Sequence, residues 1–363
     1  MTAPRAQVRP KSVPSFMSVV SDVARFYGFA PVRDFDSCLE TATLRPDEAT
    51  LGFYAAPAPA RAPLPVPARE LREMGFVIAG PQGSMGEIVL IKVLAAIATE
   101  YGAGVTRVRV NAIGDKDSKL RFTRELSSYL RRQAEKLDES CRQKICENPL
   151  SPYLCGSSAC REVLQEGPHA VNFLSEKSRV HFREMLEHLD RLALPYELDD
   201  MLISDERDAQ SAFALDIEDE GSIIVCALGG RLECARRHVN RKEMELSHAR
   251  LFFRRKGPLQ KQRMAPVRPA RLYFVQLGLR ARLEGLNMLE ALYRARIPVL
   301  QSFDSSRLAP QLQAAREAHV THLIIMGQRE ALDRTVIVRS VADSAQEIVP
   351  HRELTRYLKN LSE

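Results

Sequence analysis

Apolar positions in SFMSVVSDVARFYGFA, residues 15 to 30, recur at helical spacing and stop at Gly28, which predicts a short amphipathic helix followed by the extended PVRDF. After LRPDEATLGFY the chain enters a stretch from Ala55 to Pro67 built mainly from Ala and Pro. Proline removes backbone donors, so this stretch is neither a regular helix nor a central strand and reads as a PPII-like connector. MGFVIAG then reads as a buried strand, Glu87 to Tyr101 as an apolar helix, and TRVRVNAIG as an alternating strand. From Asp115 to about Leu194 the period is helical, in RFTRELSSYLRRQAEKL, ACREVLQEG and SEKSRVHFREMLEHLDRL, with breaks at NPLSPYL and EGPHAV. Strand patterns return in SAFALDIED and SIIVCALGGRLE.

From Arg271 onward, strands alternate with helices: LYFVQL, LEGLNMLEALYRA, PVLQSF, LAPQLQAAREA, HLIIMG, TVIVRS and HRELTRYLKNL. Such alternation predicts βαβ units and a mixed sheet with helices on its faces. The expected organisation is a flexible basic N-terminus over 1–14, a core over 15–260 with a helical insertion at about 115–195, and a separate α/β unit over 271–363.

Charge changes this picture locally. The net charge of +6 is modest, yet thirteen Lys and Arg fall between Arg231 and Arg271 against three acids, Glu233, Glu243 and Glu245. A block of this kind suits a phosphate-rich partner, with Arg254, Arg255, Lys256, Lys261 and Arg263 as its densest part; the alternative is a solvated linker. No apolar run reaches the roughly 20 residues of a membrane span, and the basic N-terminus lacks the apolar core of a secretory signal, so the expected location is cytoplasmic.

Four of the seven cysteines, Cys141, Cys146, Cys155 and Cys160, follow C-x4-C-x8-C-x4-C spacing. Four thiolates make a closed zinc shell, but the tight C-x2-C knuckle is absent, and small buried apolar thiols are the other reading. Disulfides are not expected in a reducing compartment.

The order of these segments resembles the histidyl-tRNA synthetases and their paralogues. YGFAPVRDF looks like the motif 1 passage, a helix end leading to a long strand at the dimer interface. LRPDEAT is similar to the amino-acid pocket loop, and MGFVIAG to the second strand of motif 2. EKLDESCRQKICENPLSPYLC through FLSEKSRVHFREMLEHLDRLALPYELD resembles the helical insertion of the bacterial enzymes. GGRLE looks like the Gly-Gly-Arg-Tyr-Asp turn beneath the pocket, and THLIIMGQREALDRTVIVRS is similar to the anticodon-domain pattern. The resemblance covers about residues 15 to 360 and implies an α+β fold: a class II antiparallel platform of six strands with a helical insertion, then an anticodon-binding-like α/β domain. It further implies a homodimer that binds tRNA, with ATP and Mg as cofactors if the chain is active.

The catalytic pattern is incomplete. Activation of an amino acid by ATP accumulates negative charge, and the family meets it with arginines of motif 2, motif 3 and the histidine-sensing segment. No Phe-Arg-x-Glu lies between LRPDEAT and MGFVIAG, so a strand and hairpin are expected to be deleted there. Glu73 stands in place of the family's glutamine and Val77 in place of its glutamate. Ser204 stands for the sensing arginine, Asp208 and Ala209 for the tyrosines, and LSHARLFFRRKGPLQKQ offers no motif 3. Arg45, Asp47, Glu73, Gly229, Gly230 and Arg231 are the remaining pocket candidates.

For Arg45 and Asp47 the other reading is an internal ion pair, for the glycines a tight turn, and for Arg231 a choice between phosphate and surface. His169, His181, His188 and His351 show no paired acid or cysteine and suggest surface or capping roles. The expected function is a histidyl-tRNA synthetase-like protein that binds RNA or a protein partner with little histidine activation. A divergent active ligase, or a regulatory subunit like the synthetase-like partner of ATP phosphoribosyltransferase, are the alternatives.

Overall fold

In the computed structural model the described residues are 16–56, 71–101, 105–204, 209–219, 222–234, 236–241, 243–254, 271–303 and 307–361. Helix α1 (Phe16–Phe26) leads through the two-residue strand β1 (Ala30–Pro31) into α2 (Phe35–Thr43) and β2 (Thr50–Ala56). Strand β3 (Leu71–Ala79), helix α3 (Met85–Tyr101) and strand β4 (Val105–Ala112) follow. Four helices come next: α4 (Lys116–Arg132), α5 (Glu139–Lys144), α6 (Ser158–Gln165) and α7 (Glu176–Arg191). The chain then returns through β5 (Glu197–Leu198), β6 (Ser211–Asp219), β7 (Ser222–Leu232) and β8 (Leu246–Arg254).

These strands form one sheet in the order β1-β2-β3-β8-β7-β6-β4-β5. The six from β2 to β4 in that order pair antiparallel, and the short β1 and β5 add parallel edges. Period-2 alternation gives the sheet two distinct faces. Leu51, Phe53, Met74, Phe76, Ile78, Phe213, Leu215, Ala249 and Leu251 belong to the main core. Tyr54, Val77, Ala214, Asp216, Leu228, His248 and Arg250, at the intervening positions, take the opposite face.

Helix α3 covers the core face and is buried along nearly its whole length. A helix apolar on all sides needs neighbours on all sides. It has the sheet beneath, with α1, α7 and the C-terminal unit around it.

That unit runs β9 (Leu272–Gln276), α8 (Leu279–Arg294), β10 (Leu300–Gln301), α9 (Leu308–Glu317), β11 (His322–Met326), α10 (Gln328–Asp333), β12 (Thr335–Ser340), β13 (Gln346–Pro350) and α11 (His351–Asn360). Its sheet has the order β10-β9-β11-β12-β13, parallel through β11 and antiparallel beyond. One hydrophobic cluster runs from the large sheet through α1 and α3 into α8 and this second sheet. Phe26 meets Tyr293 edge-on at 4.9 Å, and Lys92 of α3, buried, reaches Glu290 at 2.5 Å and Asn287 at 3.1 Å on α8.

The insertion closes a small core of its own around Phe122, Leu126, Leu130, Val163 and Leu164. Its first and last helices are joined at their starts. Asp115 caps α4 and Ser175 caps α7, and the Ser175 hydroxyl donates to Asp115 Oδ2 at 2.6 Å. Burial works against ionised Asp115, but donation from Ser175 and Ser118 outweighs it and holds the carboxyl down at about 2.

The structure corrects several expectations. PVRDF does not continue into a long strand: β1 is two residues long, and Asp34 opens α2 through a reciprocal cap with Ser37. A strand does lie beside MGFVIAG, since β2 pairs with β3 from Thr50–Ala79 to Ala56–Glu73, whereas the hairpin and the proline connector over 57–70 lie outside the described residues. LSHARLFFR, left without an element, is the central strand β8.

Candidate functional site

The sheet face opposite α3 carries several polar and charged side chains. At its β2–β3 end, Tyr54 lies across Gly75, where a Cβ would come within 2.2 Å of the phenol ring. The Tyr54 hydroxyl meets His248 Nε2 at 3.2 Å, and Phe35 of α2 approaches the imidazole edge-on at 5.2 Å. At the strand ends Leu71, Cys226 and Phe252 form a buried cluster, with the Arg250 guanidinium over the Phe252 ring at 5.5 Å. Burial, then the Asp216 charge, push the Cys226 thiol up to about 12, so it offers no nucleophile near neutral pH.

Towards β4 the face becomes charged. Arg109 bonds Asp199 at 2.7 Å and Asp216 at 3.1 Å, so its charge is matched within the chain. Next to it Asn111, buried, donates to the Leu202 carbonyl at 3.1 Å. Asn111, Lys119, Leu150, Ser204 and Ala209 line a crevice of about 10 Å³. That is room for roughly one water.

The candidate residues do not converge. Arg45 and Asp47 lie exposed in the turn between α2 and β2, and Arg45 faces Glu48 at 4.0 Å rather than Asp47. Glu73 is buried four residues along β3 from Val77, whose row holds His248 and Gly230. That separation is about 13 Å at the rise of a strand.

Gly229 and Gly230 lie inside β7 and not in a turn. Their role is close approach: a Cβ on Gly230 would come within 2.0 Å of the Ser211 carbonyl, and one on Gly229 within 2.5 Å of the His248 carbonyl. Arg231 is held by contacts within the chain. Its guanidinium donates to the Gly83 carbonyl at 2.9 Å and faces Glu245 at 3.7 Å. Arg254 ends β8, while Arg255, Lys256, Lys261 and Arg263 lie outside the described residues.

The histidines correct the expectation that they lack acid partners. His181 Nε2 is 2.8 Å from Glu87, a fully buried carboxylate on α3 that also accepts from the Ser211 hydroxyl at 3.0 Å. Burial alone would raise the Glu87 carboxyl, but His181, and beyond it Arg231, bring it below the ordinary value. His188 is buried against the Ser84 hydroxyl at 2.9 Å, and burial lowers its pKa. The contacts of Glu87, His181, Ser211, Ser84 and His188 lie between α3, α7 and the sheet and fix their packing. Their signal in the sequence is Glu87, which with Lys92 is one of two charges in a helix apolar up to its last turn. Apart from these contacts, His169 pairs with Asp200 at 3.0 Å.

The cysteines separate into three and one. Cys141, Cys155 and Cys160 place their Sγ atoms within 4.8 Å of one another, whereas Cys146 is exposed and outside the group. The four-thiol shell allowed by the spacing is therefore not assembled.

No family model matches the chain. Curated relatives include the histidine–tRNA ligase of Synechococcus sp. (strain JA-3-3Ab), 23% identical over 293 residues that cover 80% of this chain and 70% of the relative. The histidine–tRNA ligase of Desulfosudis oleivorans is 25% identical over 264 residues, covering 72% of this chain and 62% of the relative, a little under two thirds of its length. Among solved structures, apo S. aureus histidyl-tRNA synthetase superposes with a TM-score of 0.50 at 14% identity, covering 99% of this chain and 100% of that one. This likeness is one of fold.

Proposed function

From its place among the histidyl-tRNA synthetase-like class II proteins, we propose that this chain keeps the family scaffold as an RNA-binding module and does not activate histidine. The observation that supports this reading is the narrowness, among the described residues, of the crevice at Ser204 and Ala209, the positions standing for the family's histidine-sensing residues, about 10 Å³ in volume.

Magnesium ATP fits the described residues no better. A triphosphate needs cations aimed at its developing charge, and each such donor lost costs about 3–4 kcal/mol of transition-state stabilisation. On this face Arg109 is matched by two carboxylates and Arg250 stacks on Phe252.

RNA is the partner class favoured by the basic stretch from Arg231 to Arg271, and tRNA the form that an anticodon-binding-like C-terminal unit would take. A second copy of the chain would have to dock away from the apolar face of α1, because Val19, Val20, Val23 and Ala24 are already buried within the monomer. No helix among the described residues is long and apolar enough to cross a membrane.

That the curated relatives are histidine–tRNA ligases favours one second reading, a working ligase. Histidine-dependent exchange between ATP and labelled pyrophosphate separates the two: background exchange supports the binding module, and saturable exchange supports the ligase.

A further inference from the structure

We propose that Cys141, Cys155 and Cys160 form a three-thiolate zinc site that closes the helical insertion, with the fourth coordination position turned to solvent. The three Sγ atoms lie within 4.8 Å of one another, each delivered by a different turn of the chain: Cys141 from α5, Cys155 from the bend after Ser151–Leu154, and Cys160 from α6. Thiolates around tetrahedral zinc stand about 3.8 Å apart, from the Zn–S length of about 2.3 Å. Closing the group onto an ion therefore asks for side-chain movements of about an ångström or less.

The backbone supports such a site. Gly156 takes a φ of 73°, and the turn it makes aims the Ser157 N–H at Cys155 Sγ, 3.4 Å away. An N–H aimed at sulfur stabilises a thiolate; the same sulfur as a thiol reaches the Pro152 carbonyl at 3.2 Å, a contact it gives up on binding the ion. Cys141 and Cys160 are buried and Cys155 is half-buried, so the ion would sit at the edge of the insertion core with one side open to water.

The ion has a structural task there. The insertion core rests on few large side chains, and α5 and α6 are short. Short helices joined by irregular turns gain little from their own hydrogen bonds. A metal that binds only the folded arrangement adds its binding free energy to folding. Cys146, exposed and outside the group, takes no part.

The test uses the full-length chain, purified with a non-thiol reductant and stripped of metal, titrated with Co²⁺ and then Zn²⁺. The expected result is one equivalent of Co²⁺ per chain with a sulfur-to-cobalt charge-transfer band, displaced by Zn²⁺ and accompanied by a rise in Tm. Cys146→Ser behaves as wild type. Cys155→Ser, which changes the half-exposed member and leaves the core filled, weakens Co²⁺ binding by more than about 100-fold, beyond the loss of an outer-shell partner. Three results overturn the proposal: no charge-transfer band with the reduced wild-type chain, unchanged binding in Cys155→Ser, or loss of binding in Cys146→Ser. A disulfide among the three thiols in chain quenched directly from cells overturns it as well.

Discussion

The rings of Tyr54 and His248 lie within 2° of parallel with their polar atoms 3.2 Å apart, on the sheet face opposite α3. The arrangement depends on Gly75, the one position in that row with no side chain to displace the phenol. Gly75→Ala is expected to destabilise the chain by about 1–3 kcal/mol, since an added methyl in a packed place forces its neighbours off their rotamers. Tyr54→Phe removes the hydroxyl that meets His248 and costs about 1 kcal/mol. Urea unfolding of the two variants checks the order.

The seam between α3 and α8 makes a second prediction. Lys92 is buried, whereas its partner Glu290 is about a third exposed and also pairs with Arg294. Glu290→Ala strands a buried ammonium with Asn287 alone and is expected to cost about 3 kcal/mol. Lys92→Met fills the same space with an apolar chain and leaves Glu290 its arginine, so it costs far less. The inequality of the two, read by thermal unfolding, checks the pairing.

Acid pH tests the buried histidines. Burial lowers the pKa of both His188 and His351 below the ordinary 6.5. Below that value the unfolded chain binds protons that the folded chain refuses, so stability is complete above about pH 6.5 and declines as pH falls through it. Tm measured from pH 8 to pH 5 is expected to fall across that window, and His188→Gln is expected to flatten the slope.

RNA binding through the basic stretch carries its own signature. Affinity is expected to fall linearly on a log–log plot against salt, with a slope reduced by about 0.7 for each single-strand phosphate contact removed. Replacing Arg255, Lys256, Lys261 and Arg263 with Ala should flatten that slope; filter binding over a salt series measures it.

The sheet alternation of SAFALDIED and SIIVCALGG and the helical period of the insertion were legible in the sequence because burial alone imposes them. β8 was not, because its alternation of Ser, Ala, Leu and Phe with His and Arg sits inside a run of positive charge that reads as surface. Adjacent glycines such as Gly229 and Gly230 permit a turn. Only the neighbouring strands reveal that here the missing side chains allow close packing. Arg231, Glu87 and His181 were beyond reach for a similar reason: their pairings join residues from four separate stretches of the chain.

One measurement bears most directly on the claim that this sheet holds no activation site. Full-length chain, its fold checked by circular dichroism, is incubated with ATP, Mg²⁺, labelled pyrophosphate and increasing histidine, with and without bulk tRNA. The account predicts label in ATP at the level of the enzyme-free control at every histidine concentration. Incorporation that rises and saturates with histidine would contradict it.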